Sequence, residues 1–339
     1  MYNAIRPLLF KLDPERAHNL TLKLIKWAGT FPPTYALLRA MFEVNDPHLE
    51  VEAFGVKFRN PIGLAAGYDK NGVAAKGLAA LGVGHIEVGT VTRQKQIGNP
   101  KPRVQRVIES NALINSMGFP NDGVGALVTH IANLRHTRIG INIGKSKDTP
   151  LENAAEDYGA LLKQVYGLTD YVAINVSSPN TLNLRQLQTH EMIKHLLKEV
   201  ASVRNSLSPR VPLLVKIAPD LTEAEIDDVL AAMSIAGIDG IIATNTTIGR
   251  EGIPDRYRAL TGGLSGAPLK SPSTQIIRYI ANRTQGRLPI VGVGGILNAR
   301  DAIEKLEAGA TLIQLYTGLI YAGPSLAQQI NRALCARLH

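Results

Sequence analysis

From about Pro61 onward the chain alternates short apolar runs with longer amphipathic stretches. The apolar runs cover residues 62–66, 86–91, 139–143, 171–176, 213–217, 240–244, 289–293 and 311–315. They are rich in β-branched residues and do not alternate in polarity, the pattern of strands buried on both faces of a parallel sheet. Helical periodicity fills most of the gaps, including 151–166, 189–203, 223–236 and 299–308. Thr222 followed by Glu225 reads as a capping box opening the third of these. This alternation predicts an α/β fold, a (β/α)8 TIM barrel, with a doubly wound sheet as the alternative.

The chain before residue 61 reads differently. Residues 14–29 predict an amphipathic helix with Ala17, Leu20, Leu24 and Trp27 or Ala28 along one stripe, ended by Gly29. Pro32-Pro33 open a second helix over 34–42, with Tyr35, Leu38, Met41 and Phe42 available for one side. The expected organisation is a small N-terminal helical extension, residues 1–45, ahead of a barrel domain, residues 46–339. A helix pair with apolar faces and a basic excess either packs on the barrel or lies on an anionic membrane.

Composition narrows the partners. The 339 residues exceed the roughly 250 of a typical α/β barrel and leave room for such an extension. No apolar run approaches the ~20 residues that span a bilayer, and the first ten residues lack the features of a secretory signal. A single cysteine, Cys335, excludes an internal disulfide and a multi-cysteine zinc site. The histidines, His136 and His339 among them, are scattered without ligand spacing, so no metal is expected. A net charge of +9 suits nucleic acid, an anionic membrane or an anionic small ligand. The basic residues form no long block, which argues against nucleic acid.

Polar residues and glycines gather just after the apolar runs: Asp69-Lys70, Thr90, Asn142, Asn175 to Asn180, Lys216, Thr244-Asn245-Thr246, Gly294-Gly295 and Tyr316-Thr317. In a barrel these strand ends share one face, where the site is built. Gly294-Gly295 and Tyr316-Thr317-Gly318 occupy the loops after strands seven and eight, where a phosphate group commonly binds. Gly262-Gly263-Leu264-Ser265-Gly266 could cover the same end. Lys70 and Lys216 at strand ends suit a flavin N1/O2 edge or a substrate carboxylate, because burying an unpaired ammonium is expensive. Asn142, Asn175, Asn180 and Asn245 offer the donors and acceptors a planar imide needs, flavin or pyrimidine. Ser178 is either a loop-capping serine or a base, and the latter needs a partner network, for which Thr181 and residues 115–119 are candidates.

Several motifs together resemble dihydroorotate dehydrogenase, in its quinone-linked, membrane-associated class 2. They are Gly63-Leu64-Ala65-Ala66-Gly67-Tyr68-Asp69-Lys70-Asn71-Gly72, Asn115-Ser116-Met117-Gly118-Phe119, Asn175 through Thr181, Val215-Lys216-Ile217-Ala218-Pro219-Asp220 and Gly263-Leu264-Ser265-Gly266. The resemblance implies FMN in the barrel mouth, at Ala66, Gly67, Lys70, Thr90, Asn142, Asn175, Lys216, Thr244, Gly266, Gly295, Tyr316 and Thr317. It implies dihydroorotate at Lys70, Asn115, Ser116, Met117, Gly118, Phe119, Asn175, Asn180, Asn245 and Thr246. Ser178 matches the class 2 base, where class 1 enzymes carry cysteine. The implied reaction removes a proton from C5 with Ser178, sends a hydride from C6 to flavin N5, and passes electrons to a membrane quinone. The N-terminal helices then become a quinone tunnel in peripheral contact with the cytoplasmic side of a bacterial inner membrane, with His18, Arg103 and Tyr316 near it. Ser116, where many relatives have arginine, and Pro120, where an Asn-Asn pair often follows, depart from the pattern in the substrate lid.

Overall fold

The apolar runs all become strands, and their ends join. The structure, a computed structural model, describes residues 2–134 and 137–338; Met1, Arg135, His136 and His339 lie outside the described residues. The strands are β1 (Val51–Ala53), β2 (Val56–Phe58), β3 (Ile62–Leu64), β4 (His85–Val91), β5 (Val104–Val107), β6 (Ala112–Asn115), β7 (Arg138–Ile143), β8 (Tyr171–Asn175), β9 (Leu213–Ile217), β10 (Gly240–Ala243), β11 (Gly263–Gly266), β12 (Ile290–Val293) and β13 (Leu312–Leu315). The helices are α1 (Tyr2–Lys11), α2 (Pro14–Thr30), α3 (Pro32–Phe42), α4 (Ala75–Ala79), α5 (Val124–Ile131), α6 (Ala154–Val165), α7 (His190–Asn205), α8 (Glu223–Ala236), α9 (Lys270–Thr284), α10 (Ala299–Glu307), α11 (Thr317–Ala322) and α12 (Leu326–Leu338).

Strands β3, β4, β7, β8, β9, β10, β12 and β13 pair in parallel, and β13 returns to β3 to close the barrel. A doubly wound sheet is thereby excluded. The expected capping box is present: Thr222 Oγ1 accepts from the Glu225 N–H, and Glu225 accepts from the Thr222 N–H.

Side chains alternate across each strand. Outward residues such as Ile86, Val88, Ile139, Ile141, Val172 and Ile174 pack with the helices in one large core. Inward residues at the lower end, Tyr171, Leu214, Ile242, Val291 and Leu312, pack on Phe58 of the β1–β2 hairpin. The same parity sends Glu87, Asn142, Asn175 and Lys216 into the upper barrel, all buried.

Two connections were not foreseen as sheet. Strands β5 and β6 follow β4, and β11 follows β10; they form an antiparallel sheet with β6 in the middle. The Gly263-Leu264-Ser265-Gly266 segment is therefore a strand rather than a loop.

The N-terminal region departs from expectation in three ways. Helix α1, with Pro7 inside it, was not anticipated. Tyr2 OH donates to Ile320 O (2.5 Å) and Arg6 donates to Tyr321 O (2.9 Å), pinning it to α11. Gly29 does not end α2. It is buried within the last turn against Gly77 of α4, where the two backbones touch. The expected apolar stripe also splits: Ala17 is buried and Ala28 half-buried, whereas Leu20, Leu24 and Trp27 are exposed. Phe31, Leu37 and Met41 extend this exposed apolar surface, with Lys23 and Lys26 beside it. No helix among the described residues is long and apolar enough to cross a membrane.

Candidate active site

At the strand C-termini the barrel opens into a polar cavity. Its wall brings together Ala66, Gly67, Lys70, Thr90, Asn115, Met117, Gly118, Phe119, Asn175, Ser178, Asn180, Lys216, Thr244, Asn245, Thr246, Gly266, Gly295, Tyr316 and Thr317, all predicted positions. Two predicted residues lie elsewhere. Asn142 is wholly buried beneath the floor, and Ser116 faces an outer pocket with Asn99, Lys147 and Thr181.

The turn after β3 is shaped by Asp69, whose carboxylate accepts from the N–H groups of Val73 (3.0 Å) and Ala74 (2.7 Å). This turn delivers Lys70, whose Nζ donates to Gly67 O at 2.7 Å and makes no other hydrogen bond among the described residues. Burial, reinforced by the Arg103 guanidinium, lowers its pKa to about 8. Lys216 rises from β9 with its ammonium 3.5 Å from Glu87.

The asparagines form a connected chain. Asn142 donates to Glu87 (2.8 Å) and accepts from Thr90 Oγ1 (2.5 Å) and Asn175 Nδ2 (3.1 Å). Asn245 Nδ2 donates to Asn175 Oδ1 (3.3 Å) and Ser177 Oγ (3.0 Å). Closer to the lid, Asn180 Nδ2 donates to Asn115 Oδ1 at 3.0 Å. Ser178 is buried, and its Oγ accepts the Asn180 N–H at 3.2 Å. Its hydroxyl proton is engaged by no other side chain among the described residues, and Thr181 is not bonded to it.

A second, apolar cavity of roughly 480 Å³ lies between the N-terminal helices and the barrel, within the ~300–1,000 Å³ range of small-molecule sites. Ile5, Leu9, Ala17, Ile25, Leu38 and Phe42 line it, and His18 and Glu15 give it a polar end. Burial and Lys70 hold the His18 imidazole neutral, with its pKa lowered to about 4. The two cavities share Lys70, Asn115, Met117, Ser265 and Tyr316 as a common wall. His18 packs edge-on to Tyr68 (5.3 Å), and Tyr68 edge-on to Tyr316 (5.5 Å).

Arg103 lies behind this wall, not in it. It donates to both Glu15 carboxylate oxygens (2.7 and 3.2 Å) and to the carbonyls of Ile97 (2.7 Å) and Asn99 (3.0 Å). Asn99 in turn donates to the carbonyls of Ser116 and Asn180. One buried arginine thus ties α2 to the loops over the polar cavity.

Sequence reading missed Glu87 and Gln314. Each is a polar letter inside an otherwise largely apolar strand, at the parity that faces inward, and a buried charge needs partners.

A family model described as dihydroorotate dehydrogenase matches residues 48–338. A relative from Stutzerimonas stutzeri named dihydroorotate dehydrogenase (quinone) is 50% identical over 342 residues, covering 99% of this chain and 98% of the relative. One of the same name from Christiangramia forsetii is 47% identical over 335 residues, covering 98% of both. The crystal structure of DHODH from Eimeria tenella in complex with ferulenol matches with a TM-score of 0.88 at 35% identity, covering 98% of this chain and 94% of that one.

Proposed function

This chain belongs to the dihydroorotate dehydrogenase family, and from that premise we propose that it oxidises dihydroorotate to orotate with a membrane quinone as electron acceptor, a step of pyrimidine (UMP) biosynthesis. The observation that carries this reading is the common wall of the two cavities. A polar cavity lined by lysines and amides suits an anionic pyrimidine. An apolar cavity meeting it at Lys70 and Tyr316 suits a hydrophobic acceptor.

The residues fit FMN as the cofactor. Lys70 and Lys216 each keep spare N–H donors at the polar cavity, as an electron-rich heterocycle edge requires. Gly295 has a positive φ of 69°, and any Cβ there would strike the Lys270 backbone, so this loop is built from backbone alone. Its N–H groups, with Ser265 and Thr317, would hold the phosphate; Ala66, Gly67, Thr90, Asn175, Thr244, Gly266 and Tyr316 would hold the ring system, with Asn142 supporting it from below. Bound there, the flavin supplies a hydride acceptor at N5 for the hydrogen on C6 of the substrate.

Lys70 would pair with the substrate carboxylate, while Asn115, Asn175, Asn180, Asn245 and Thr246 hold the ring amides. Residues 116–119 would close over it. Ser178 would take the C5 proton. A serine hydroxyl does this only as its own proton departs, and Thr181 and Phe119 would border the exit. Positioning by preorganised polar groups supplies the rate.

Residues 1–45 would form the quinone-tunnel extension and residues 46–339 the catalytic barrel. The exposed apolar surface of α2 and α3, flanked by lysines, supports peripheral attachment to the cytoplasmic face of a bacterial inner membrane.

Anaerobic mixing with dihydroorotate tests the reading. The flavin absorbance should bleach, and a quinone should restore it far faster than fumarate or NAD in parallel. A colourless protein, or recovery with NAD at the quinone's rate, would refute it.

A further inference from the structure

Glu87 is wholly buried in the barrel interior, and the reaction described so far makes no use of it. Every neighbour of its carboxylate is a donor. Asn142 Nδ2 lies 2.8 Å and Lys216 Nζ 3.5 Å from Oε1; Gln314 Nε2 lies 2.8 Å and Tyr171 OH 3.2 Å from Oε2. Burial and the nearby carboxylate hold the Tyr171 pKa well above its ordinary value, so it remains a donor. An ionised carboxylate can only accept. The Lys216 ammonium and the Tyr171 hydroxyl face it as donors whichever way the two amides turn, so the carboxylate is an acceptor at both oxygens.

This has a directional consequence. A side-chain amide can face either way, but Asn142 must turn its NH2 group down to Glu87. Its Oδ1 then faces up and accepts from Thr90 and Asn175. Asn175 is left presenting its own Oδ1 to Asn245, and Asn245 presents Oδ1 to the Thr246 N–H (2.8 Å). One acceptor at the base orders Asn142, and the backbone N–H groups of Ser177 and Thr246 hold Asn175 and Asn245 in the matching sense. Lys216 depends on it too, since Glu87 is the acid paired with it among the described residues.

We propose that Glu87 is a positioning residue: its negative charge balances Lys216 and sets the donor–acceptor direction of Asn142, the base of the Asn142–Asn175–Asn245 chain that meets flavin and substrate. The inference rests on the flavin reading of this same cavity. Glu87→Gln keeps the shape, removes the counter-charge and adds a donor that lets Asn142 turn over.

Two titrations of the purified yellow holoenzyme test it. Sulfite adds reversibly to N5 of an oxidised flavin and leaves negative charge on the N1–C2=O edge, so its affinity reports the positive field there. Orotate, followed by its perturbation of the flavin spectrum, reports the amide chain. In Glu87→Gln, sulfite should bind at least about tenfold more tightly and orotate at least about tenfold more weakly, each about 1.4 kcal/mol. Mere loosening of the site would weaken both. Glu87→Asp, which keeps the charge but withdraws it by one bond, should shift both in the same senses by smaller factors. It carries the test if the glutamine variant does not fold. Parity with the wild type in every folded variant, or weaker binding of both ligands, overturns the role of Glu87. A colourless wild type instead refutes the flavin reading.

Discussion

Gly29, at the end of α2 far from Glu15, offers a way to disturb the apolar cavity more than the polar one. A Cβ added there would stand 2.5 Å from Gly77 N and 2.6 Å from Gly77 Cα. Both are backbone atoms of α4, so no side chain can swing aside. Restoring ordinary van der Waals contact requires α2 to move outward by roughly 1 Å. Two free energies then oppose each other. Alanine in place of glycine favours a helix by about 1 kcal/mol, while overpacking costs about 1–3 kcal/mol. Gly29→Ala should be destabilising by up to about 2 kcal/mol. With 339 residues and an unfolding entropy of about 2.1 cal/mol/K per residue, that lowers Tm by at most about 3 °C. The kinetic effect should be larger, because α2 carries His18, Thr21 and Ile25 on the apolar cavity wall. A misplacement of about 1 Å can cost up to ~100-fold; we expect kcat/KM for quinone to fall about tenfold. Stopped-flow absorbance separates the half-reactions. Flavin reduction by dihydroorotate should stay within about twofold of the wild type while reoxidation by quinone slows. Equal slowing of both steps, or a more stable variant with unchanged quinone kinetics, would refute the reasoning.

Ser178→Ala should retain flavin absorbance but slow its reduction by dihydroorotate about 10²–10⁴-fold near neutral pH; near-normal reduction would remove Ser178 from the base role. Lys70 must be charged to pair with a carboxylate, and its pKa is lowered to about 8. Substrate kcat/KM should therefore be full below that pH and fall about tenfold per unit above it, and Lys70→Met should abolish this dependence; a flat profile to pH 10 in the unaltered protein would contradict it. Replacing the exposed Leu24 and Trp27 together by glutamate should reduce co-sedimentation with anionic vesicles while flavin reduction persists. Unchanged sedimentation would place the membrane surface elsewhere.

The barrel was legible because its strands are buried on both sides, so each prints as an unbroken apolar run with turn residues after it. The site was legible because this fold sends those turn residues to one face. What failed did so for physical reasons. Glycine as a helix stop and glycine as a close-packing surface are the same letter, so Gly29 was misread. Helix α1 is held by bonds to residues 320 and 321, which no local pattern announces. An exposed leucine and a packed one look alike in a periodic stripe, hence the split of Leu20 and Leu24 from Ala17. The sheet of β5, β6 and β11 joins segments about 150 positions apart along the chain, beyond any short-range signal.

Arg103 bears on how this chain could be rebuilt. Its guanidinium donates to a carboxylate of α2 and to the carbonyls of residues 97 and 99, and Asn99 passes the connection to residues 116 and 180. The N-terminal helices are consequently not an interchangeable module. A chimaera whose grafted helices lack a carboxylate at position 15 leaves an orphaned cation beneath the loops over the polar cavity. A working exchange has to carry residue 15 and the 97–103 loop across as one unit.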